Sequence, residues 1–133
     1  MNRSEARKKI MTILYQIFLY ESNNIEYSVK DVIKESVEIE NEFVNSVVNG
    51  VLEYRSDLDK IANKHLNDWT IDRLPKTDQA ILRMGIYELV YTDTPEIVSI
   101  NEAVELAKEY SDEKVKNMIN AVLDSIYHGE ENE

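Results

Sequence analysis

The sequence contains no cysteine and very little glycine or proline. Without cysteine, the 133-residue chain can form neither a disulfide framework nor a thiolate metal site, and it has no thiol nucleophile. Three glycines and two prolines supply too little turn chemistry for a β-sandwich or a β-barrel. The hydrophobic content of 43% nevertheless suffices for a sizeable core, so we expect one domain over residues 1–133.

The chain also lacks an apolar run long enough to cross a membrane, which needs roughly 18 residues or more. The best candidate, IMTILYQIFLY, is interrupted by Gln16 and followed directly by ESNNIEYS. No small-residue cleavage site follows this run, as a signal peptide would require. We therefore predict a cytoplasmic protein with no membrane partner.

The apolar residues recur at the spacing of helices rather than strands. One side of the first predicted helix carries Ala6, Ile10, Ile13, Leu14, Ile17 and Phe18. Similar patterns, separated by short breaks, continue along the chain and predict an all-α bundle of about seven helices. We expect Ser28 to cap the second helix, and Ser99 with Glu102 in SINE to form a capping box for the sixth.

Residue patterns typical of catalysis are nearly absent. The two histidines, His65 and His128, are too far apart for a short metal-binding clip, and His65 falls on an apolar stripe typical of a structural residue. The isolated glycines form no phosphate-binding loop, and the serines lack a nucleophile-elbow context. We predict that the protein is not an enzyme and that it has no cofactor or metal site.

Basic residues are few, but several lie together at the N-terminus. The net charge of −11 argues against a protein that coats nucleic acid with its whole surface. Arg3, Arg7 and Tyr15 nevertheless share a stripe of the first helix, and Lys8 lies one heptad before Tyr15. Guanidinium groups bind phosphate, and an exposed ring stacks on an unpaired base, so this stripe is typical of a site for single-stranded RNA. A solubilising basic tip, with the tyrosine at the core boundary, explains the pattern equally well.

The fifth predicted helix, TDQAILRMGIYELVY, is apolar on two sides. Beside its core face it carries a second apolar stripe with an acid, Glu88, next to it: Ala80, Met84, Tyr87 and Tyr91. A helix that is apolar most of the way round is either buried centrally or bound to a partner. The pattern alone favours a central buried helix, whereas tyrosine and methionine are also typical of protein interfaces.

Three segments, ILRMGIYELVY, SINEAVELAKEY and INAVLDSI, follow one another in this order. Together with EARKKIMTILYQ near the N-terminus, they strongly resemble the bacterial antitermination factors of the NusB family, and the resemblance covers the whole chain. It implies an all-α protein of two packed helical bundles. It also implies binding to single-stranded boxA RNA in nascent ribosomal transcripts, together with the ribosomal protein NusE, within the RNA polymerase antitermination complex.

The resemblance further implies roles for residues of the first and fifth helices. The positions that match the RNA-binding head of the family are Arg3, Arg7 and Tyr15. The heptad spacing described above adds Lys8 to this surface. The helix that faces the protein partner in the family is matched at Tyr87 and Glu88. From the second apolar stripe, we expect the same partner surface to include Met84 and Tyr91.

The seventh helix departs from the family pattern at the second RNA contact. The family usually has a basic residue and an aromatic residue where this chain has Asn117 and Met118, and Lys114 replaces a common acid. A charge and a stacking ring are therefore missing. We expect Lys114 and Lys116 to supply the lost charge as mobile point contacts, which shifts the RNA footprint along this helix.

Two alternative functions remain. The same helical module occurs fused to rRNA cytosine methyltransferases, so the chain could be the detached RNA-binding domain of such an enzyme, although it stops at Glu133 without room for a catalytic domain. A homodimeric helical adaptor would instead use the stripe of Tyr87 and Tyr91 and bind no RNA. RNA titration tests the adaptor, and the mass in solution distinguishes a monomer from a homodimer.

Overall fold

The regular structure is helical throughout the part of the chain that the computed structural model describes, which is residues 1–131, with side chains for residues 1–129. Its seven α-helices are α1 (Arg3–Ser22), α2 (Val29–Ser36), α3 (Glu42–Glu53), α4 (Arg55–His65), α5 (Lys76–Tyr91), α6 (Glu96–Tyr110) and α7 (Glu113–Glu131). A short 3-10 turn, Ile71–Arg73, precedes α5. The prediction of an all-α fold with seven helices is confirmed.

The helices pack as two bundles that share the central helix α5. Helix α1 packs against α2 and α3, whereas α6 and α7 pack on each other and α4 packs on α7. Helix α5 contacts α1 and α3 of the first bundle and α4, α6 and α7 of the second. Every residue from Asp78 to Glu88 is buried, so α5 is the central buried helix that its pattern favoured. Within the described residues, no helix has the length and apolarity needed to cross a membrane.

Short polar side chains fix where several helices begin. The side chain of Asn2 accepts a hydrogen bond from the Glu5 amide at 2.8 Å, which satisfies a free donor at the start of α1. Ser28 accepts one from the Asp31 amide at 3.3 Å, as predicted for α2. Asp112 accepts one from the Val115 amide at 2.8 Å, which starts α7 directly after the corner that follows α6.

The predicted capping box in SINE is wrong. Helix α6 begins at Glu96, directly after Pro95, and Ser99 lies buried inside the helix. Proline suits this position because it lacks the amide hydrogen that a first helical turn leaves unpaired, and its fixed φ favours the helical conformation. The proline therefore sets the helix start one turn earlier than the serine would.

One glycine marks a close approach between α3 and α5. A Cβ atom at Gly50 would overlap the ring of Tyr87, so no larger residue fits without movement of that ring. This close contact explains why a glycine lies inside α3, although glycine costs about 1 kcal/mol in helix propensity. The same contact positions the ring of Tyr87, which stacks on Tyr91 in the aromatic cluster described below.

Candidate nucleic-acid and partner interfaces

Arg7, a predicted phosphate contact, lies inside the protein with a relative exposure of 4%. Its Nε donates to both carboxylate oxygens of Glu88, at 3.1 and 3.0 Å, and its Nη2 forms a further close contact with Oε1 of the same residue. Burial by itself would lower the pKa of Arg7, but the hydrogen bonds and charge of Glu88, followed by the charge of Glu102, raise it above its ordinary value. The guanidinium is therefore held charged by protein carboxylates.

This ion pair corrects two expectations at once. Arg7 is not available to an RNA phosphate, and Glu88, which is also 4% exposed, is not available to a protein partner. Each was assigned from its place in a motif, but α1 and α5 pack so that the two side chains neutralise each other. A buried charge must be paired, and the pair here satisfies that requirement.

The same pair also organises the loop between α5 and α6. The Thr94 hydroxyl donates to the Glu88 carboxylate at 3.2 Å, and the Thr92 hydroxyl donates to the Glu88 backbone carbonyl at 2.6 Å. The buried carboxylate thus connects the first helix, the central helix and the loop that leads to α6.

Arg3 is exposed and leans toward α3. Its guanidinium carbon lies 4.0 Å from the ring centroid of Phe43, which is a cation–π contact. Both residues line an open cleft of about 650 Å³ between the start of α1, α3 and the α5–α6 loop. Arg3 is therefore accessible to solvent, but it lies on the α3 side of the first helix.

Lys8 leans the other way, toward the end of α6. Its Nζ lies 3.1 Å from a carboxylate oxygen of Glu109, and both side chains are about half exposed, at 46% and 48%. The hydrogen bond with Glu109 raises the pKa of Lys8. One turn earlier, the Ser4 hydroxyl donates to Glu102 at 2.9 Å. The basic head, which we define as Arg3 and Lys8 at the start of α1, is thus divided: Arg3 lies in a cleft at α3, and Lys8 lies on an open surface at α6.

The remaining predicted RNA residues differ in accessibility. Tyr15 is half-buried, which fits both a stacking residue and a boundary residue of the core. On α7, Lys114 and Asn117 are exposed, whereas Met118 is half-buried against the core. Lys116 is only 25% exposed and pairs with Glu113 at 3.0 Å. We use the name RNA surface for four accessible residues among all those predicted to contact RNA, and we leave out Arg3 because it lies in the cleft at α3: Lys8, Tyr15, Lys114 and Asn117.

The predicted partner stripe is mostly core. Met84 is 3% exposed, so it packs inside the protein, and the expectation that it contacts a partner is corrected. Tyr87 is buried over Gly50, and Tyr91, one turn further along α5, is 39% exposed. Because the helix rises from the core toward its C-terminal end, only the last member of the stripe reaches the surface.

Tyr54, which no sequence pattern indicated, extends this exposed end of the stripe. Its ring stacks on that of Tyr91 with centroids 4.8 Å apart, and Tyr91 stacks on Tyr87 at 5.5 Å. Burial raises the pKa of Tyr91, and the negative charge of Asp57 raises it further. The pKa of Tyr87 is also raised by burial, and the negative charge of Glu53 contributes to that increase. We call Tyr54, Tyr87 and Tyr91 with these two acids the tyrosine patch.

The chain is thus an all-helical protein of two bundles, with basic residues on α1 and α7 and a group of stacked tyrosines at the end of α5. A family model described as the NusB family matches residues 4–128, and the chain belongs to that family. The transcription antitermination protein NusB of Macrococcus caseolyticus is 42% identical over 128 residues, which cover 95% of this chain and 96% of that protein.

Solved structures show the same relationship. The antitermination factors NusB and NusE in complex with double-stranded RNA include a chain that is 29% identical to this one, with a TM-score of 0.79 and coverage of 96% of both chains. NusB from T. maritima is 27% identical with a TM-score of 0.82, covering 96% of this chain and 92% of that one.

Proposed function

We propose that the protein is a transcription antitermination factor that binds boxA-type RNA through the RNA surface and a NusE-type ribosomal protein through the tyrosine patch. The observation that carries this proposal is the match, at 42% identity over 95% of the chain, to a protein of that activity. The complex then joins the RNA polymerase antitermination machinery. The protein itself acts by binding and performs no chemical reaction.

The chemistry of the RNA surface suits a single strand with exposed bases. Lys8 and Lys114 supply positive charge as flexible point contacts to phosphates. Tyr15 presents part of its ring, and base–aromatic stacking is worth roughly 1–3 kcal/mol per base. Outside this surface, Arg3 is exposed and supplies a further phosphate contact, whereas Lys116 and Met118 are half-buried and contribute less. The RNA in the solved relative is double-stranded, so both forms belong in the test.

The tyrosine patch suits a basic protein. Stacked tyrosines, of which Tyr54 and Tyr91 are partly exposed, provide apolar area at low entropic cost. The exposed acids Glu53 and Asp57, on either side of Tyr54 in the chain, give the patch a negative field. Complementary charge steers a basic partner toward such a patch and fixes its orientation. The net charge of −11 adds to this attraction and limits non-specific contact with RNA.

The decisive experiment is a binding titration with labelled boxA-type RNA as a single strand and as a duplex, with a scrambled strand of equal length as control. We expect the boxA-type single strand to bind most tightly, and we expect added NusE to tighten that binding further. Equal binding to all three RNAs would contradict the proposal. A dimeric mass in solution without RNA binding would favour the homodimeric adaptor.

A further inference from the structure

The last turn of α6 lies beside the basic head of α1. Two contacts show how the helices align, because Ser4 bonds Glu102 and Lys8 pairs with Glu109. Later residues of α1 thus meet later residues of α6, so the two helices run in the same general direction. Helix α6 ends one residue after Glu109, at Tyr110, and therefore ends beside Lys8.

Tyr110 is an exposed ring one residue after Glu109, the residue that pairs with Lys8. It is 44% exposed, and the part of the chain that the structure describes gives it neither a ring-stacking partner nor a side-chain hydrogen bond. It directly follows Glu109, whose carboxylate lies 3.1 Å from Nζ of Lys8, so the ring belongs to the same turn of α6 as the residue that contacts this lysine. An open π-face and a cation lie together here, as base and phosphate recognition requires.

The ring of Tyr110 compensates for the aromatic residue that α7 lacks at position 118. Met118 stands where the family usually has an aromatic residue, and its side chain is half-buried against the core. The corner Ser111–Asp112 joins Tyr110 to the start of α7, and the bond from the Ser111 hydroxyl to Asp78 at 2.9 Å anchors that corner to α5. Tyr110 thus ends the helix that contacts both α1 and α7, the two helices that carry the RNA surface, and it lies directly before the corner that leads into α7.

Glu109 stands directly in front of the same lysine. Its carboxylate pairs with Lys8 in the free protein, yet exposed ion pairs of this kind are weak, so an incoming phosphate can displace it. Until then the carboxylate offsets the lysine charge and repels phosphate. A phosphate group alone therefore gains little binding free energy at this surface, whereas a strand that also stacks a base on Tyr110 gains binding free energy from both contacts.

We propose that the end of α6 completes the RNA surface, with Tyr110 as a base-stacking residue and Glu109 as a displaceable cover on Lys8. This inference rests on the proposed RNA-binding function and assigns to it two residues that neither the sequence pattern nor the family resemblance selected. It also explains how one face of so acidic a protein can favour a stacked strand over free phosphate charge.

The first test concerns stacking and uses the whole chain with labelled boxA-type single-stranded RNA. Tyr110→Ala should weaken binding at least about fivefold, the lower end of the stacking range, while Tyr110→Phe should bind like the unchanged protein. Trp69→Ala is the matched control, since it removes another exposed aromatic ring and should leave RNA binding unchanged. All three variants should melt at the same temperature as the unchanged protein.

The second test concerns the cover and uses a double-mutant cycle. Glu109→Gln should tighten RNA binding about two- to fivefold at low salt, and this gain should shrink as salt rises. In a Lys8→Ala background the same substitution should give no gain, because the covered cation is gone. Glu105→Gln removes an equal charge one turn earlier on α6 and should have a smaller effect in both backgrounds.

The outcomes separate this inference from the proposed function. If the unchanged protein does not bind boxA-type RNA, the proposed function fails. If the unchanged protein binds, but Tyr110→Ala and Glu109→Gln bind RNA with the same affinity as the unchanged protein, the end of α6 lies outside the RNA surface. This inference alone is then overturned. A gain from Glu109→Gln that persists without Lys8 would also overturn the cover, since it would reflect only the net charge.

Discussion

Removal of one partner of the buried pair between Arg7 and Glu88 should destabilise the whole protein. The arginine side chain is 4% exposed. Its Nε and Nη2 face Glu88 and its Nη1 lies 3.7 Å from Glu102, so Arg7→Ala would leave the Glu88 carboxylate buried without its cation. Such a loss costs about 3–5 kcal/mol of unfolding free energy. For a chain of this size, 1 kcal/mol corresponds to roughly 3–4 °C in melting temperature, so we expect a decrease of about 10–20 °C.

The assay is urea denaturation of a double-mutant cycle, with thermal melts in parallel. Glu88→Leu alone strands the arginine and should cost a similar amount, whereas Arg7→Met with Glu88→Leu removes both charges and should recover much of the loss. Thr94 would lose its carboxylate acceptor in the double variant, so recovery should be incomplete. Arg3→Ala is the matched control and should cost under about 1 kcal/mol, since only an exposed cation–π contact is lost.

The competing prediction comes from the motif alone, which assigns Arg7 to RNA. If Arg7→Ala melts like the unchanged protein and selectively weakens RNA binding, the arginine is an RNA contact and the reasoning from the buried pair is refuted. If the single variants are strongly destabilised and the double variant is not restored at all, the residues act independently and the pairwise interaction was misjudged.

Three further predictions concern other parts of the molecule. Lys114→Asp should weaken RNA binding and reduce the slope of log binding constant against log salt concentration by roughly 0.7 per lost phosphate contact. Lys60→Asp, the same substitution at an exposed lysine of α4, should have a much smaller effect. Equal effects of the two variants would contradict a local contact at Lys114. Tyr91→Lys should abolish binding to NusE, because it breaks the tyrosine stack and adds a cation facing a basic partner. RNA binding by the isolated protein should be retained. Unchanged NusE binding in a pull-down would show that the patch lies outside the interface. Burial raises the pKa of Asp78 above its ordinary value, so stability from its protonated form is lost as pH rises through the raised pKa. Asp78→Asn should therefore raise the melting temperature at neutral pH more than in acid, and a pH-independent change would contradict this.

The sequence predicted the helices well because their signals are local. Apolar residues at helical spacing and the Ser28 cap each act within one or two turns, so they can be recognised without the fold. The SINE box shows where local signals compete. Both Pro95 and Ser99 can mark a helix start, and only the packing of α6, which buries the serine, decides between them.

The site residues were harder to predict because their environment comes from distant parts of the chain. Arg7 and Glu88 are 81 positions apart, and nothing near either residue reveals that they form a pair. Lys8 and Glu109 are 101 positions apart, so the end of α6 could not be assigned to the basic head from spacing. Tyr54 directly follows α3 in a segment with no motif, and only its stacking on Tyr91 gives it a role.

The most direct test of the two-surface proposal is a backbone-amide chemical-shift map of the full chain, recorded with boxA-type RNA and, separately, with NusE. We expect RNA to shift the amides around Lys8, Tyr15 and Lys114, and to leave those around Tyr54 and Tyr91 in place. NusE should produce the reverse pattern. If RNA instead shifts the tyrosine patch, or both ligands shift the same amides, the protein does not separate its two binding functions on these surfaces.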